Sequence, residues 1–563
     1  MQVALAAAWA LGLFVSELGV GASFSSARAA ERQVLVIVTC DSYADLKKQL
    51  GWMGMQVGQP GLAGMMESVL LMATQGRGLG GLDVKRPLGA VVTTDGNDLA
   101  VHGFVPVKSL DKLLDSLQSV TGPVERSGNS RSLTLPSGIA LDIVEENGWA
   151  IVSPQGMDVE AVDPTPLFAP LSENYTIGIQ AFPHLLPEPL RLQLRMLVEQ
   201  GAAAAGEQGQ QLDAQTIGKA IDSLADTESL AIGVAIDSEK DRVFIENRTV
   251  GVPGSPAALA MQGADQGQLT VAMPPMADGK RPAVSAHLVQ RVPEAARREV
   301  LSMLEQALPR TQQSPDRLTE TLSLLLRDVI SSVLATGGID AAVCIDTTAG
   351  AEKTALPDVT AGIRVKDGAG VEKKVKTSLS SEVSLPPGVR VTFDAAKVGT
   401  ANLHTISIDL SGTEAATRLG KNLELTLAIT PEYAFLLAGG NPRQRLAALL
   451  GPQGQTDPDA KPIAAVEVAV DRVLAYVAEQ EMRGVLDVAT GDADAGDATE
   501  AGAGDQKGSL LKILVRPIER GVATRISADG GVVRAVAAGA GAGPAVPPGL
   551  PLPNGFQIPA PAR

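Results

Sequence analysis

Short apolar runs alternate with amphipathic stretches over most of the chain, and this alternation predicts strands and helices in a recurring order. The run Val34 to Val38 is rich in β-branched residues and predicts a buried strand. Two helical stretches follow it. The segments Leu88 to Thr94 and Leu99 to Val107 then predict a hairpin, because the turn between them reads Asp95-Gly96-Asn97-Asp98. The next predicted helix begins at Ser109, a residue type that caps helix N-termini.

The same order returns in the second half of the chain. A strand at Ala283 to Val289 precedes two helical stretches, and Gly337-Gly338-Ile339-Asp340 opens a new strand pair as Gly80-Gly81-Leu82-Asp83 does earlier. The strand Val359 to Val365 then leads into the helix Val371 to Leu379. Because element order and turn placement agree, the sequence predicts a duplicated unit.

A partial third copy is predicted near the C-terminus. Ile463 to Val470 is strand-like and leads into a helix, and Lys512 to Pro517 with Val522 to Ser527 predicts a hairpin. We therefore expect an α+β protein of repeated strand-helix-hairpin units, mainly antiparallel sheet covered by helices on one face.

The predicted domain boundaries follow from these units and from shifts in composition. They are a signal peptide at 1–29, a first α+β unit at 30–262, a second at 263–455, a partial third unit at 456–535 with an acidic linker at 491–508, and a disordered Ala/Gly/Pro tail at 536–563.

The N-terminus predicts export to the periplasm or the extracellular space. An apolar stretch, Ala4 to Val15, is followed by Ala27-Arg28-Ala29, which resembles a signal-peptidase site. No Lys or Arg precedes the apolar stretch, so a retained anchor is the alternative. The stretch is shorter than the roughly 20 residues of a membrane span, and we expect no transmembrane span in the mature chain.

Composition narrows the classes of partner. The formal net charge is −16, and aromatic residues make up 3% of the chain. Nucleic-acid binding needs clustered Lys and Arg, and base stacking needs aromatic rings. We therefore expect no nucleic-acid partner and cores of small aliphatic side chains. Envelope proteins and apolar ligands remain as candidate partners.

The residues with reactive side chains do not cluster in the sequence. Cys40 and Cys344 belong to no C-x-x-C pair, so we expect two buried thiols, with a disulfide as the alternative. The chain has four histidines, His102, His184, His287 and His404. They are far apart and share no ligand spacing. Three of them fall within predicted strands, namely His102, His287 and His404.

Two further patterns have simpler explanations than chemistry. Ser109 and Lys112 match the S-x-x-K of serine acyl-transferases, but Ser109 is explained as an N-cap and no K-T-G strand follows. Met53, Met55 and the methionines from Met65 to Met72 are better explained as core filling than as copper ligands. The sequence therefore assigns no catalytic, cofactor-binding or metal-binding residue.

Several turn and strand positions together resemble an uncharacterised family of exported bacterial proteins, commonest in planctomycete-type genomes. The resemblance implies a fold of duplicated α+β units and no known activity. The positions are Val34 to Cys40, Gly78 to Asp83 before Arg86-Pro87-Leu88-Gly89, Gly103 to Val107, Asn147 to Ala150 and Val252 to Ser255.

These observations favour an exported non-catalytic structural or binding protein of the cell envelope or the extracellular space. Two alternatives stay open. One is a carrier of apolar ligands or lipoproteins that uses aliphatic sheet faces. The other is an exported hydrolase whose site is assembled from distant residues, since catalytic triads are defined by geometry and not by order.

Overall fold

A computed structural model describes residues 32–541. The residues not described within this range are 97, 158–162, 194, 197–220, 256–257, 260–281, 312–316, 348–356, 381–384, 386, 414–415, 417–419, 451–461 and 479–508. The predicted signal peptide and the predicted acidic linker lie outside the described residues.

The first half of the chain contains the following elements. They are β1 (Gln33–Cys40), α1 (Tyr43–Gln56), α2 (Leu62–Ala73), β2 (Leu88–Thr94), β3 (Leu99–Pro106), α3 (Leu110–Thr121), β4 (Val124–Ser127), β5 (Ser130–Thr134), β6 (Ala140–Glu146), β7 (Trp149–Pro154), α4 (Thr165–Ser172), β8 (Ile177–Ala181), β9 (Thr227–Asp237) and β10 (Arg242–Gly251).

The second half contains a similar succession. Its elements are β11 (Val284–Arg291), α5 (Glu294–Thr311), α6 (Arg317–Leu334), β12 (Gly338–Asp346), β13 (Asp358–Arg364), α7 (Gly368–Ser378), β14 (Val389–Val398), β15 (Ala401–Asp409), β16 (Asn422–Ile429), β17 (Tyr433–Ala438), α8 (Pro442–Leu450), β18 (Ala464–Ala469), β19 (Leu510–Ile518), β20 (Gly521–Asp529) and α9 (Gly530–Gly541).

The twenty strands found among the described residues form one antiparallel sheet, which agrees with the predicted antiparallel α+β class. From edge to edge the order is β4-β5-β6-β7-β3-β2-β1-β8-β9-β10-β20-β19-β18-β11-β12-β13-β17-β16-β15-β14. The strands that were predicted as a partial third unit, β18 to β20, lie inside this sheet between β11 and β10.

The helices lie on both faces of the sheet, which differs from the predicted one-sided cover. One row of paired residues runs across the sheet from Phe104 on β3 to Leu403 on β15. We call the surface that carries the side chains of this row face A and the opposite surface face B. Helix α4 packs on face A through Phe168 and Leu171.

The other short helix on face A is α8, whose Leu446 and Leu449 join the cluster around Leu403. Helices α3, α6 and α7 instead contribute to the two clusters on face B. Face A accepts a helix because glycine leaves room for it. A side chain at Gly89 would collide with Phe168, and one at Gly178 would crowd Leu171.

The two halves of the sheet meet where β10 pairs with β20. Nine residue pairs join them, from Arg242 with Asp529 to Val250 with Gly521. At the middle of this register Glu246 stands opposite Arg525. Each half contributes its last strand, so the junction has the form of an antiparallel pair between equivalent edges.

A buried carboxylate sits at the centre of this junction. Glu246 is 2% exposed and accepts hydrogen bonds from Tyr175 Oη at 2.8 Å, Arg525 Nε at 2.6 Å and Arg516 Nη2 at 3.2 Å. Burial disfavours the charged form, but the bonds from Arg525 and Tyr175 outweigh it and hold the pKa of Glu246 below its ordinary value. The Tyr175 ring reaches this position because Gly233 beneath it has no side chain.

Several smaller expectations are settled by the described residues. Ser109 caps α3, since its Oγ accepts a hydrogen bond from Lys112 N. Cys40 and Cys344 are buried free thiols, as predicted. The chain is helical to Gly541, beyond the predicted start of the disordered tail at 536. Asp529 Oδ1 accepts a hydrogen bond from Val532 N and caps the start of α9. Residues 542–563 lie outside the described range.

The methionines of α1 and α2 do not fill a core as predicted. Met55, Met65 and Met72 are exposed by 61%, 62% and 72%, and no residue of α2 is buried. Within the described part of the chain, no helix has both the length and the apolar character needed to cross a membrane.

Breaking the central ion pair tests how the two halves are held together. We expect Arg525→Met to lower the free energy of unfolding by roughly 2–3 kcal/mol, because a buried carboxylate then keeps only Arg516 and Tyr175. The exposed pair of Arg126 with Asp115 provides the control, and Arg126→Met should cost less than about 1 kcal/mol. Urea unfolding of the full chain measures both, and equal losses would contradict the central role of Glu246.

The junction between β1 and α1 makes a second prediction. Burial raises the pKa of Asp41 to about 6, against an opposing hydrogen bond from Gln49. A folded-state pKa above the unfolded value means that stability rises as pH falls from about 6 towards 4. Asp41→Asn should therefore be more stable than the wild type at pH 7.5, by on the order of 1 kcal/mol after allowance for partial exposure. The two proteins should melt together near pH 4, and a gap of the same size at both pH values would refute this account.

Candidate ligand-binding groove

An apolar groove of about 730 Å³ lies on face B of the second half, between the sheet and helices α6 and α7. Its floor comes from β11, β12, β13, β16, β17 and β18. The floor residues on face B are Ala286, Leu288, Ala341, Val343, Ala361, Ile363, Leu427, Ile429, Ala434, Leu436, Ala464 and Val466.

The groove exists because alanine recurs on the floor. Five adjacent strands each place an alanine there, and these side chains are only half-buried; the five are Ala286, Ala341, Ala361, Ala434 and Ala464. The walls are pairs at helical spacing, Leu325 with Val329 on α6 and Val371 with Val375 on α7. Alanine side chains fill less volume than Val, Leu or Ile, so the floor leaves a space that larger residues would reduce.

The groove surface is almost wholly aliphatic. His287 is the one titratable residue among those lining it, and its side chain belongs to face A because it pairs with Ala342 and Ala465 in the row that defines that face. Burial lowers the pKa of His287, so it is neutral at pH 7. The described residues of the groove therefore offer apolar contact and no acid, base or nucleophile.

A cluster of charged side chains lies on the neighbouring face of α7. Lys376 Nζ is 2.8 Å from Glu372 Oε1 and 2.8 Å from Asp394 Oδ1. Asn402 Nδ2 donates to Glu372 Oε1 at 3.0 Å. His404, 1% exposed, completes the group, with Nε2 3.5 Å from Glu372 Oε1. Helix α7 thus faces the groove with Val371 and Val375 and this cluster with Glu372 and Lys376.

The backbone of β14 shapes the cluster. The register with β15 shifts between Thr392 and Ala396, and Asp394 adopts a positive φ of 54° within this bulge. The bulge turns the Asp394 N–H towards His404 Nδ1, to which it donates at 3.1 Å. Such local irregularity is where strands re-aim side chains.

The electrostatics of the cluster balance internally. Burial lowers the pKa of His404, which keeps the imidazole neutral at pH 7. Hydrogen bonds from Lys376 and Asn402 outweigh burial and lower the pKa of Glu372, while bonds to Asp394 and Glu372 raise the pKa of Lys376. The two carboxylates are ionised and share one ammonium group.

The residues Glu372, Asp394 and His404 offer ligand atoms within 4.8 Å of one another, so we tested whether they fit a metal ion. Two features oppose it. Lys376 already bridges both carboxylates. His404 Nδ1 uses its lone pair to accept the Asp394 N–H, so a neutral ring carries its proton on Nε2 and has no lone pair there for a metal. The donor set fits an ion-pair cluster and not a metal centre.

Sequence reasoning placed three histidines in strands, and the structure agrees for His102, His287 and His404. It did not find the meeting of His404 with Glu372 and Asp394, because these residues come from β15, α7 and a bulge in β14. The i, i+4 pair Glu372 and Lys376 was a visible signal, but nothing in the sequence indicated what it would face. The alanine floor was likewise not identified as a groove.

Comparison with known proteins yields no relative. No protein-family model, curated protein or solved structure matches the chain.

The protonation of His404 separates the two interpretations of the cluster. We expect NMR to show a neutral ring with the proton on Nε2 down to a pH below the ordinary value of 6.5, because burial lowers its pKa. A depressed folded-state pKa also means that His404 removes stability as pH falls below about 6.5. His404→Gln assigns the signals. Equimolar Zn²⁺ should leave them unchanged, and a zinc-induced shift that Asp394→Asn abolishes would establish a metal site instead.

Proposed function

We propose that the protein is an exported, non-catalytic binding protein of the cell envelope or the extracellular space that holds an apolar ligand in the alanine-floored groove. The observation that carries the proposal is the nearly all-aliphatic surface of a 730 Å³ groove. Ligand sites of small molecules typically enclose about 300–1,000 Å³ and are mostly apolar.

The chemistry of the groove favours an aliphatic chain over an aromatic or polar ligand. Its floor and walls are Ala, Val, Leu and Ile, and no charged or hydroxyl side chain faces it from the lining residues on face B. Each methylene removed from water contributes roughly 0.8 kcal/mol, so an acyl chain gains affinity without any hydrogen bond. The ligand class we propose is an acyl chain or a similar aliphatic group.

We further propose that the sheet consists of two repeated units. The first unit pairs β6-β7-β3-β2-β1-β8-β9-β10, and the second pairs β16-β17-β13-β12-β11-β18-β19-β20 in the same order. On this account β18 to β20 complete the second unit and no third unit exists. The groove belongs to the second unit: Val38, Ala90 and Val92 on face B of the first are buried.

Export and an envelope location are supported by the N-terminal pattern of Ala4 to Val15 and Ala27-Arg28-Ala29 and by the family resemblance. Mass spectrometry of the protein recovered from its host locates the mature N-terminus, and we expect it near Ala30 or Glu31.

Filling the groove tests the binding function. Ala361 lies on the floor, so Ala361→Trp should weaken binding of a fluorescent long-chain fatty acid at least about tenfold, because the indole occupies the ligand's place. Ala369 is exposed on α7 outside the groove, and Ala369→Trp is the matched control that should bind like the wild type.

The titration follows fluorescence at equal protein concentration, with circular dichroism to verify that each variant is folded. Saturable binding by the wild type and by Ala369→Trp, with loss in Ala361→Trp, supports the proposal. Absence of saturable binding by the wild type, or equal binding by both variants, rejects it.

A further inference from the structure

Three arginines surround the single carboxylate at the centre of face A. Arg525 and Arg516 both donate to Glu246 Oε2, at 2.6 Å and 3.2 Å. Arg248 lies on the same face as Glu246, two residues further along β10, and acts on the Tyr175 hydroxyl, which in turn donates to Glu246 Oε1. Two of the guanidinium groups therefore bind Glu246 directly, and the third acts on its hydrogen-bond donor Tyr175.

The charges of this cluster do not balance among the described residues. Arg525 alone neutralises the charge of Glu246. The positive charges of Arg516 and Arg248 then have no further negative charge to balance them within the cluster. No ion pair joins Arg248 to a described carboxylate, and the second carboxylate nearby, Asp237, is held by Arg242 and Lys240. The cluster therefore carries a local surplus of two positive charges on a chain with net charge −16, and such a patch attracts anions.

The register sets how far apart two of the arginines stand. It places Arg248 and Arg516 on either side of Ala523, on three neighbouring strands. Strand spacing puts their backbones roughly 9–10 Å apart. Ala523 is 1% exposed, so neighbouring side chains cover its short one. Two long guanidinium side chains that extend from positions this far apart can converge on one anion above Ala523.

Two arginines of the cluster are partly accessible to solvent. The side chains of Arg516 and Arg525 are 43% and 27% exposed. Arg525 is held in place by stacking on Phe244, with its guanidinium carbon 4.2 Å from the ring centre. A preorganised guanidinium loses little entropy when it binds an oxyanion.

We propose that Arg248, Arg516 and Arg525 form a binding site for a phosphate group on face A. A phosphate dianion matches the surplus of two charges. It also has more oxygens than a carboxylate with which to accept hydrogen bonds from three planar guanidinium groups. The site lies on the opposite face of the sheet from the apolar groove, so it is independent of the proposed ligand there.

Calorimetry of the full chain with inorganic phosphate in low-chloride buffer tests the site. We expect saturable binding that weakens at least about tenfold in Arg516→Gln and in Arg248→Gln, because each loses a charge-assisted hydrogen bond. Arg242→Gln is the matched control. Arg242 lies on the same strand and face but is paired with Asp237, so its replacement should leave phosphate affinity within about twofold.

Two further measurements keep the test decisive. Phosphate should slow amide hydrogen exchange of β19 and β20 in the wild type and leave β11 unchanged, which needs no variant to fold. Vesicles containing an anionic phospholipid, compared with zwitterionic ones, distinguish a lipid headgroup from free phosphate as the source. Absence of binding to both phosphate and anionic vesicles overturns the proposal, as does an equal loss of affinity in Arg242→Gln and Arg516→Gln.

Discussion

The sheet is continuous because β10 and β20 pair across its centre, and the buried carboxylate of Glu246 fixes that pairing. A carboxylate that is 2% exposed is tolerated only where donors surround it, and here they come from β20, β19 and the segment before β8. A shift of the register by one residue would place Glu246 opposite Thr524 or Ile526 and move Arg525 to the other face. The ion pair therefore favours the observed register over its neighbours.

Small residues decide what covers each part of the sheet. On face A, glycines at 89, 178 and 233 accept Phe168, Leu171 and Tyr175, and the core is closed there. On face B of the second half, alanines face α6 and α7 and a groove remains. Small residues thus lie beneath a packed core on face A, where Phe168, Leu171 and Tyr175 fill the space above them. On face B of the second half they lie beneath a ligand-sized groove.

The charged cluster, the groove and the arginines of face A differ in whether their groups have partners within the protein. The cluster of Glu372, Lys376, Asp394 and His404 pairs its own charges, which favours a role in holding α7 against β14 and β15. The groove beside it presents unfilled apolar surface, and the arginines of face A carry more positive charge than Glu246 neutralises. Features that lack an internal partner are those that can recruit an external one.

Local sequence patterns predicted the main strands, the hairpin turns, the Ser109 cap, the antiparallel α+β class and the two buried thiols. These follow from local periodicity and turn chemistry, which act over a few residues. Tertiary structure alone decided that helices lie on both faces, that Glu246 meets Arg525 across 279 positions of the chain, and that alanines from five strands share one floor. Such features arise from pairings between distant segments, and a linear pattern records the face of each residue but not the neighbour that faces it.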